Sequence, residues 1–255
     1  MRNIRIIPRL DVKKEWLIKG VQMEGWRKVG NPIQAAKKYE EGGADELIFL
    51  DVVASLYQRN NLIEIVKEVA SSVFIPLTVG GGIKKIEDVS LLLANGADKI
   101  TLNTAAIDNP SLITNISDVF GSQAVVVCIE AVKSPSGSWE AMTENGRNRT
   151  NKEVVLWAKE VESRGAGEIL ITSIDNDGIG NGFDIELIKK VSDSVSIPVI
   201  ASGGLSKPNH LKDLINSTDV SGAAIAKALH FNQVQISDLQ KIVEENNCCG
   251  RKIFN

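Results

Sequence analysis

The stretches "FIPLTVGGGI" (residues 74–83) and "SIPVIASGGL" (196–205) decide how this chain folds. Each is a short apolar run, rich in β-branched residues, that ends in a glycine cluster, and the second is an imperfect copy of the first about 120 positions further on. Self-similarity at a fixed offset is read before local patterns, because it constrains the whole architecture. Sliding the chain on itself by that offset sets "GGADELIFLDV" (42–52) against "RGAGEILITSI" (164–174). Gly43, Ala44 and Glu46 then match Gly165, Ala166 and Glu168. "ADKITLNTAA" (97–106) falls opposite "VSGAAIAKAL" (220–229), and "IIPRLD" (6–11) opposite "VVVCIE" (125–130). Two halves, about 1–120 and 121–245, share one plan, with 246–255 left as a tail.

Within each half, strand-like runs alternate with helix-length stretches, the pattern of parallel strands joined by crossover helices. Strands are expected near 4–10, 47–52, 74–79, 98–103, 124–130, 168–173, 197–202 and 222–226. Asn31-Pro32 and Asn109-Pro110 each put proline at a first helical position, and Gly96 and Gly165 follow helical runs as stops. Eight strand-helix units in 255 residues predict a single (β/α)8 barrel domain built from two half-barrels. The rival is an open doubly wound sheet, but neither "VGGGIKK" nor "ASGGLSK" spells the dinucleotide motif G-x-G-x-x-G. Residues 132–150, with Ser-Gly and Asn-Gly turns, read as a hairpin-like loop after strand 5.

Composition fits a globular chain: 43% hydrophobic, 24% charged, formal net charge −3. No apolar run approaches the ~18 residues of a membrane span, and the N-terminus lacks a signal-peptide core, so the chain is expected in the cytosol. Without a long basic block nothing points to nucleic acid. Cys128 lies in an apolar run and Cys248-Cys249 in a polar tail, which gives neither a disulfide framework nor metal-ligand spacing. No cofactor or metal is expected.

In this fold chemistry sits at the C-terminal strand ends. Those ends supply Gly81, Gly82, Asn103 and Thr104 in one half, and Gly203, Gly204, Ala226 and Lys227 in the other. Glycines leave backbone N–H groups open to an anion and a following helix adds its dipole, so the two clusters are candidate phosphate cradles for a ligand phosphorylated at both ends. A tight turn is the plainer reason for any single cluster. Asp11 and Glu130 end strands 1 and 5, on opposite sides of the mouth, where two carboxylates can divide proton donation and acceptance. Asp177, in "SIDNDG" with Gly178, is a third candidate. Arg5, Glu46, Lys99 and Glu168 stand at strand starts, as surface charges or as a ring across the barrel bottom. His210 and His230 are expected to be surface or packing residues.

These residues carry a resemblance. "RIIPRLDV", "KGVQMEGWRKVGNP", "GADELIFLDVVAS", "FIPLTVGGGI", "GADKITLNTAA", "GAGEILITSIDNDG" and "SIPVIASGG" are similar to the cyclase subunits of imidazole glycerol phosphate synthases, across roughly residues 3–243. "ASLYQRNN" also looks more like the cyclase than its sister isomerase. The resemblance implies a bis-phosphorylated ribulosyl aminoimidazole carboxamide ribotide as substrate. It implies ammonia from a glutaminase partner at the N-terminal face, and imidazole glycerol phosphate and aminoimidazole carboxamide ribotide as products. It implies acid–base roles for Asp11 and Glu130, a gate of Arg5, Glu46, Lys99 and Glu168 at the ammonia entrance, and Lys19 in the segment that closes over substrate. Three positions depart from the family: Glu130 replaces aspartate, Arg9 replaces a small residue, typically cysteine, and Lys227 replaces serine. A methylene moves a carboxylate on the order of 1 Å, enough to cost ~100-fold in rate. By strand alternation Arg9 points to the same side as Asp11, which puts a guanidinium inside the barrel. The departures leave room for a second function, a relative that passes ammonia to a nucleotide-sugar amidotransferase of surface polysaccharide synthesis.

Overall fold

The computed structural model describes residues 2–52 and 61–250; Ser55 and most of "ASLYQRNN" lie outside them. Eight parallel strands form the ring: β1 (Arg5–Lys13), β2 (Leu47–Asp51), β3 (Leu77–Gly80), β4 (Lys99–Leu102), β5 (Val125–Lys133), β6 (Glu168–Ser173), β7 (Val199–Ser202) and β8 (Gly222–Ile225). Each pairs with the next, and β8 pairs with β1 through Gly222–Arg5, Ala223–Ile6 and Ala224–Ile7, which closes the barrel and excludes the open sheet. The main crossover helices are α1 (Pro32–Glu41), α2 (Asn61–Ala70), α3 (Ile86–Ala94), α4 (Ser111–Phe120), α5 (Val154–Ser163), α6 (Ile185–Ser192), α7 (Pro208–Ser217) and α8 (Ile236–Glu245).

Strand alternation sorts every barrel residue to one of two faces. Ile6, Leu10, Phe49, Val79, Ile100, Val127, Ile129, Ile169, Ile171, Val199 and Ala223 face outward and pack under the helices in the large core. Ile7, Ile48, Leu50, Val126, Cys128, Leu170, Ile200 and Ala224 form a separate cluster that fills the lumen. The parity that sends Ile7 inward also sends in Arg5, Arg9 and Asp11, and the one that sends in Cys128 takes Glu130 with it. The site is therefore a consequence of the same alternation that builds the core.

Local chemistry explains where elements begin. Asn31 caps α1, its Oδ1 accepting from the N–H groups of Ile33 and Gln34 at 2.9 and 3.0 Å, with Pro32 at the first helical position as expected. At the second such dipeptide the expectation misses: α4 begins at Ser111, Pro110 is its cap, and no side-chain cap forms because the Asn109 Oδ1 accepts from the Ser111 hydroxyl instead. β3 starts at Leu77 rather than 74, since Pro76 has no N–H to give a ladder.

Two antiparallel excursions leave the barrel mouth. After β1, Trp16–Val21 pairs with the end of β1 and Glu24–Gly30 pairs with it in turn, an arrangement the sequence had not suggested. After β5, Trp139–Thr143 pairs with β5 and Asn148–Glu153 adds a third strand, so the expected hairpin is real but longer, and α5 begins only at Val154. Met23 of the first excursion, Met142 of the second and Ile174 after β6 are buried together in a small core above the mouth. The C-terminal segment is less of a free tail than expected: Cys248-Cys249 pairs in parallel with Arg2-Asn3, and Cys248 is buried.

Candidate active site

Asp11 stands on the inward face near the end of β1 and is fully buried. Arg9, two residues below on the same face, donates from Nε to the Asp11 Oδ1 at 2.9 Å. Lys19, from the first excursion, brings Nζ to 3.8 Å from Oδ2, an oxygen that accepts no hydrogen bond. The ammonium of Lys19 is itself held by Asp177, at 2.7 and 3.0 Å from its two carboxylate oxygens. All three polar residues around Asp11 are buried.

Glu130 occupies the equivalent place on β5, four strands round the ring. Burial pushes its pKa up to about 7; the Arg9 charge, the Gly146 N–H and an Asn103 side-chain hydrogen bond pull the other way without cancelling that effect. Gly146 donates to Oε2 at 3.0 Å from the tip of the second excursion, where Glu144, Asn145 and Gly146 all take positive φ. Asn145 ties that tip to the residue after β2 by donating to the Val52 carbonyl at 2.6 Å, and the Glu144 N–H reaches the Thr104 hydroxyl at 3.1 Å.

A cavity of about 400 Å³ opens beside Glu130 and gathers Gly81, Gly82, Asn103 and Thr104 with Lys84, Glu144 and Asn145. Sequence reasoning picked the first four; Lys84 and the hairpin tip it missed, although the Asn-Gly pair marked the tip as a turn. The cavity reaches Thr101 and Cys128 on the inward faces, so the Arg9 guanidinium leaves this side of the mouth open. Gly81 has φ +112° and a Cβ there would strike the Asp51 carbonyl, so the approach is available only to glycine.

On the other side, Gly203, Gly204 and Lys227 converge on the turn after β6, with Ala226 as the residue that precedes the Lys227 helix. Gly204 has φ +107° and a Cβ would run into the Gly182 carbonyl, while the Gly182 N–H donates to the Gly204 carbonyl at 2.9 Å. Lys227 begins a short helix, Lys227–His230, and its Nζ donates to the Gly178 carbonyl at 2.6 Å. Gly203, Gly204 and Lys227 thus lie together beside Asp177 and Gly178.

At the opposite end of the lumen the four charged residues come together. Arg5 ion-pairs with Glu46 at 2.8 Å and with Glu168, and Lys99 lies 3.2 Å from each of the same carboxylates. Burial opposes the Arg5 charge, yet the Glu168 and Glu46 contacts outweigh it and raise its pKa. They form a ring, not a set of separate surface charges. His230 also differs from expectation in part: it packs, as foreseen, but its Nδ1 meets the Tyr39 hydroxyl at 2.6 Å and burial lowers its pKa to about 4. Among the described residues no group of three or more His, Cys, Asp or Glu side chains could hold a metal. None of the helices described there is long and apolar enough to cross a membrane.

Fold and site together define a (β/α)8-barrel enzyme whose mouth sets buried carboxylates between two glycine clusters. The family model for histidine biosynthesis proteins matches residues 5–235. The chain is 59% identical over 207 residues to the imidazole glycerol phosphate synthase subunit HisF of Legionella pneumophila, covering 81% of this chain and 98% of the relative. It is 48% identical over 242 residues to the HisF subunits of Geobacillus thermodenitrificans and Geobacillus kaustophilus, covering 94% of this chain and 96% of each relative. The chain belongs to the HisF family.

Proposed function

We propose that this chain is the cyclase subunit of an imidazole glycerol phosphate synthase, a lyase of histidine biosynthesis that works with a glutaminase. The substrate is the bis-phosphorylated ribulosyl aminoimidazole carboxamide ribotide; ammonia converts it to imidazole glycerol phosphate and aminoimidazole carboxamide ribotide. The observation that carries this reading is the placement of Asp11 and Glu130 on opposite strands between two glycine clusters, all on a barrel of this family; the reading takes these clusters as phosphate cradles. One cradle is Gly81, Gly82, Asn103 and Thr104; the other is Gly178, Gly203, Gly204, Ala226 and Lys227.

Adding ammonia to a carbonyl and expelling water needs a proton given at one point and taken at another. Glu130, with a pKa near 7, keeps its proton in about half of the molecules at neutral pH, a poise suited to a donor. Asp11, with its Oδ2 free, serves as acceptor. Lys19, 3.8 Å from Oδ2, and Asp177, which holds its ammonium, orient the ribulosyl portion. The ring of Arg5, Glu46, Lys99 and Glu168 lies at the N-terminal end of the lumen, where ammonia from a glutaminase docked on that face enters.

The test is turnover of the ribotide with ammonium as nitrogen donor. Wild-type protein consumes the ribotide and releases both products; a rate no higher than that of Asp11→Asn would sink the proposal.

A further inference from the structure

Arg9 belongs to none of the roles above, yet its charge is buried inside the lumen: its side chain is 4% exposed. A buried guanidinium carries a desolvation cost that its surroundings must offset. Three strands contribute. The Asp11 Oδ1 accepts from Nε at 2.9 Å on β1, the Thr172 hydroxyl from Nη1 at 3.0 Å on β6, and the Ser202 hydroxyl from the same nitrogen at 3.4 Å on β7. β6 is three strands from β1 through β8 and β7, so the side chain reaches across much of the lumen. Desolvation is nonetheless outweighed, and the Arg9 pKa is raised, by Asp11 first and by Cys128 and Asp177 after it. The guanidinium stays charged at every pH the protein meets.

The Asp11 carboxylate has two oxygens with different fates. Oδ1 is taken by Arg9. Oδ2 is buried, accepts no hydrogen bond, and faces Lys19 at 3.8 Å on the mouth side. A short carboxylate anchored at one oxygen cannot rotate freely about its Cβ–Cγ bond, and the other oxygen is left at a fixed point. A free buried acceptor costs stability and persists where something else, here substrate, is to fill it.

We infer that Arg9 is a positioning residue for the cyclase reaction: anchored on Thr172 and Ser202, it pins the Asp11 Oδ1 and so presents Oδ2 alone to the substrate. The inference rests on the proposed acid–base role of Asp11, and it assigns a task to a buried charge that the proposed mechanism otherwise leaves unused. It also makes the geometry of Asp11 depend on β6 and β7, since without Thr172 and Ser202 the guanidinium would be held by Asp11 only.

Three variants test it: Arg9→Met, which keeps length and loses the clamp; Arg9→Lys, which keeps the charge; and Thr172→Val, nearly isosteric, which removes one anchor. With ammonium as donor, R9M is expected to lose on the order of 100-fold in kcat with KM for the ribotide changed less than threefold. R9K recovers part of the loss, and T172V falls severalfold. The groups facing Glu130 are Arg9, Asp11, Asn103 and the Gly146 N–H, and of these Arg9 favours the ionised form. The basic limb of the kcat profile therefore moves to higher pH in R9M, a change that lost packing would not produce. A folded R9M with wild-type kcat and an unmoved limb overturns the inference. Crystal structures supply an arm independent of activity: Asp11 in an altered rotamer in R9M or T172V supports the clamp, and an unaltered Oδ2 position in both overturns it. If wild-type protein does not turn over the ribotide, the functional reading fails while this structural arm still decides the clamp.

Discussion

Gly146 donates its backbone N–H to the Glu130 Oε2 at 3.0 Å, so the tip of the excursion after β5 holds a carboxyl of that same strand. The bond does not overcome burial, and the Glu130 pKa stands near 7. A carboxyl raised in the folded state favours folding while protonated. Its contribution is complete below the unfolded value near 4.5 and is lost as pH rises through about 7. Glu130→Gln, which stays neutral, should gain stability on wild type between pH 5 and pH 8, on the order of 3 kcal/mol by linkage. Denaturant melts at both pH values measure it, and equal differences at the two would show that Glu130 is not buried as described. The same variant is expected to lose ammonium-dependent turnover by 100-fold or more, since Gln has no proton to give at a useful pKa.

The charged ring yields a separate expectation. Glu46 and Glu168 share Arg5 and Lys99, and all four side chains are at most 21% exposed. Removing one cation leaves two carboxylates with a single partner, a loss of roughly 3 kcal/mol for a largely buried pair. Arg5→Ala should therefore lower the melting temperature. In complex with a glutaminase it should lower glutamine-dependent turnover more than ammonium-dependent turnover, because ammonium supplied in solution also reaches the mouth directly. Equal losses in the two assays would remove the ring from the ammonia route.

Why some of this was legible and some not follows from the range of each interaction. The placement of Asp11, Glu130 and the glycine clusters at the mouth was legible because strand alternation and strand ends are local properties, visible at a period of two. The inward direction of Arg9 came from the same rule. Its partners Thr172 and Ser202 did not, because which residues meet across a lumen depends on the stagger of strands more than 160 positions away. The excursion after β5 was announced by Asn145-Gly146. The one after β1 turns at Gln22 and Met23, with φ of 51° and 59°, and neither residue type advertises a left-handed conformation. The ring was noticed as four charges at strand starts, but pairing could not be read until closure brought β1, β2, β4 and β6 to one end.

His230 stacks on Tyr39 with ring centroids 5.9 Å apart, and the Tyr39 hydroxyl lies 2.6 Å from Nδ1. Burial raises the pKa of that hydroxyl, so it is the donor and Nδ1 the acceptor, which fixes the neutral tautomer with its proton on Nε2. A histidine depressed to about 4 contributes stability that is present above its unfolded value near 6.5 and is lost as pH falls through 4. His230→Phe keeps the stack and cannot protonate. Its stability should fall less than that of wild type between pH 7 and pH 4, by up to about 3 kcal/mol. Parallel acid dependence in the two proteins would place the His230 ring in solvent.

Lys19 and Asp177 form the contact that fastens the excursion after β1 to the turn after β6. The ammonium is buried, with both Asp177 oxygens within 3.0 Å, and the Gln22 N–H adds a backbone bond to the Asp177 carbonyl at 2.8 Å. Asp177→Asn keeps the shape and the backbone bond but removes the charge opposite Lys19. With Asp177 neutralised, the buried ammonium keeps only the Asp11 carboxylate, 3.8 Å away and too far for a hydrogen bond, and Lys19 gains further solvation only by lifting the strand Trp16–Val21 that carries it. Loss of the contact therefore opens the mouth instead of unfolding the barrel, whose core lies below. The expected result is a Michaelis constant for the ribotide raised about tenfold or more, faster proteolysis within 14–30, and a melting temperature within a few degrees of wild type. Lys19→Met reverses the sign at the same contact and should give the same opening, while the double variant should be no worse than either single one, since the two residues act as a pair. Additive losses in that cycle would mean that Lys19 and Asp177 meet the substrate separately and that the fastening is not what closes the site.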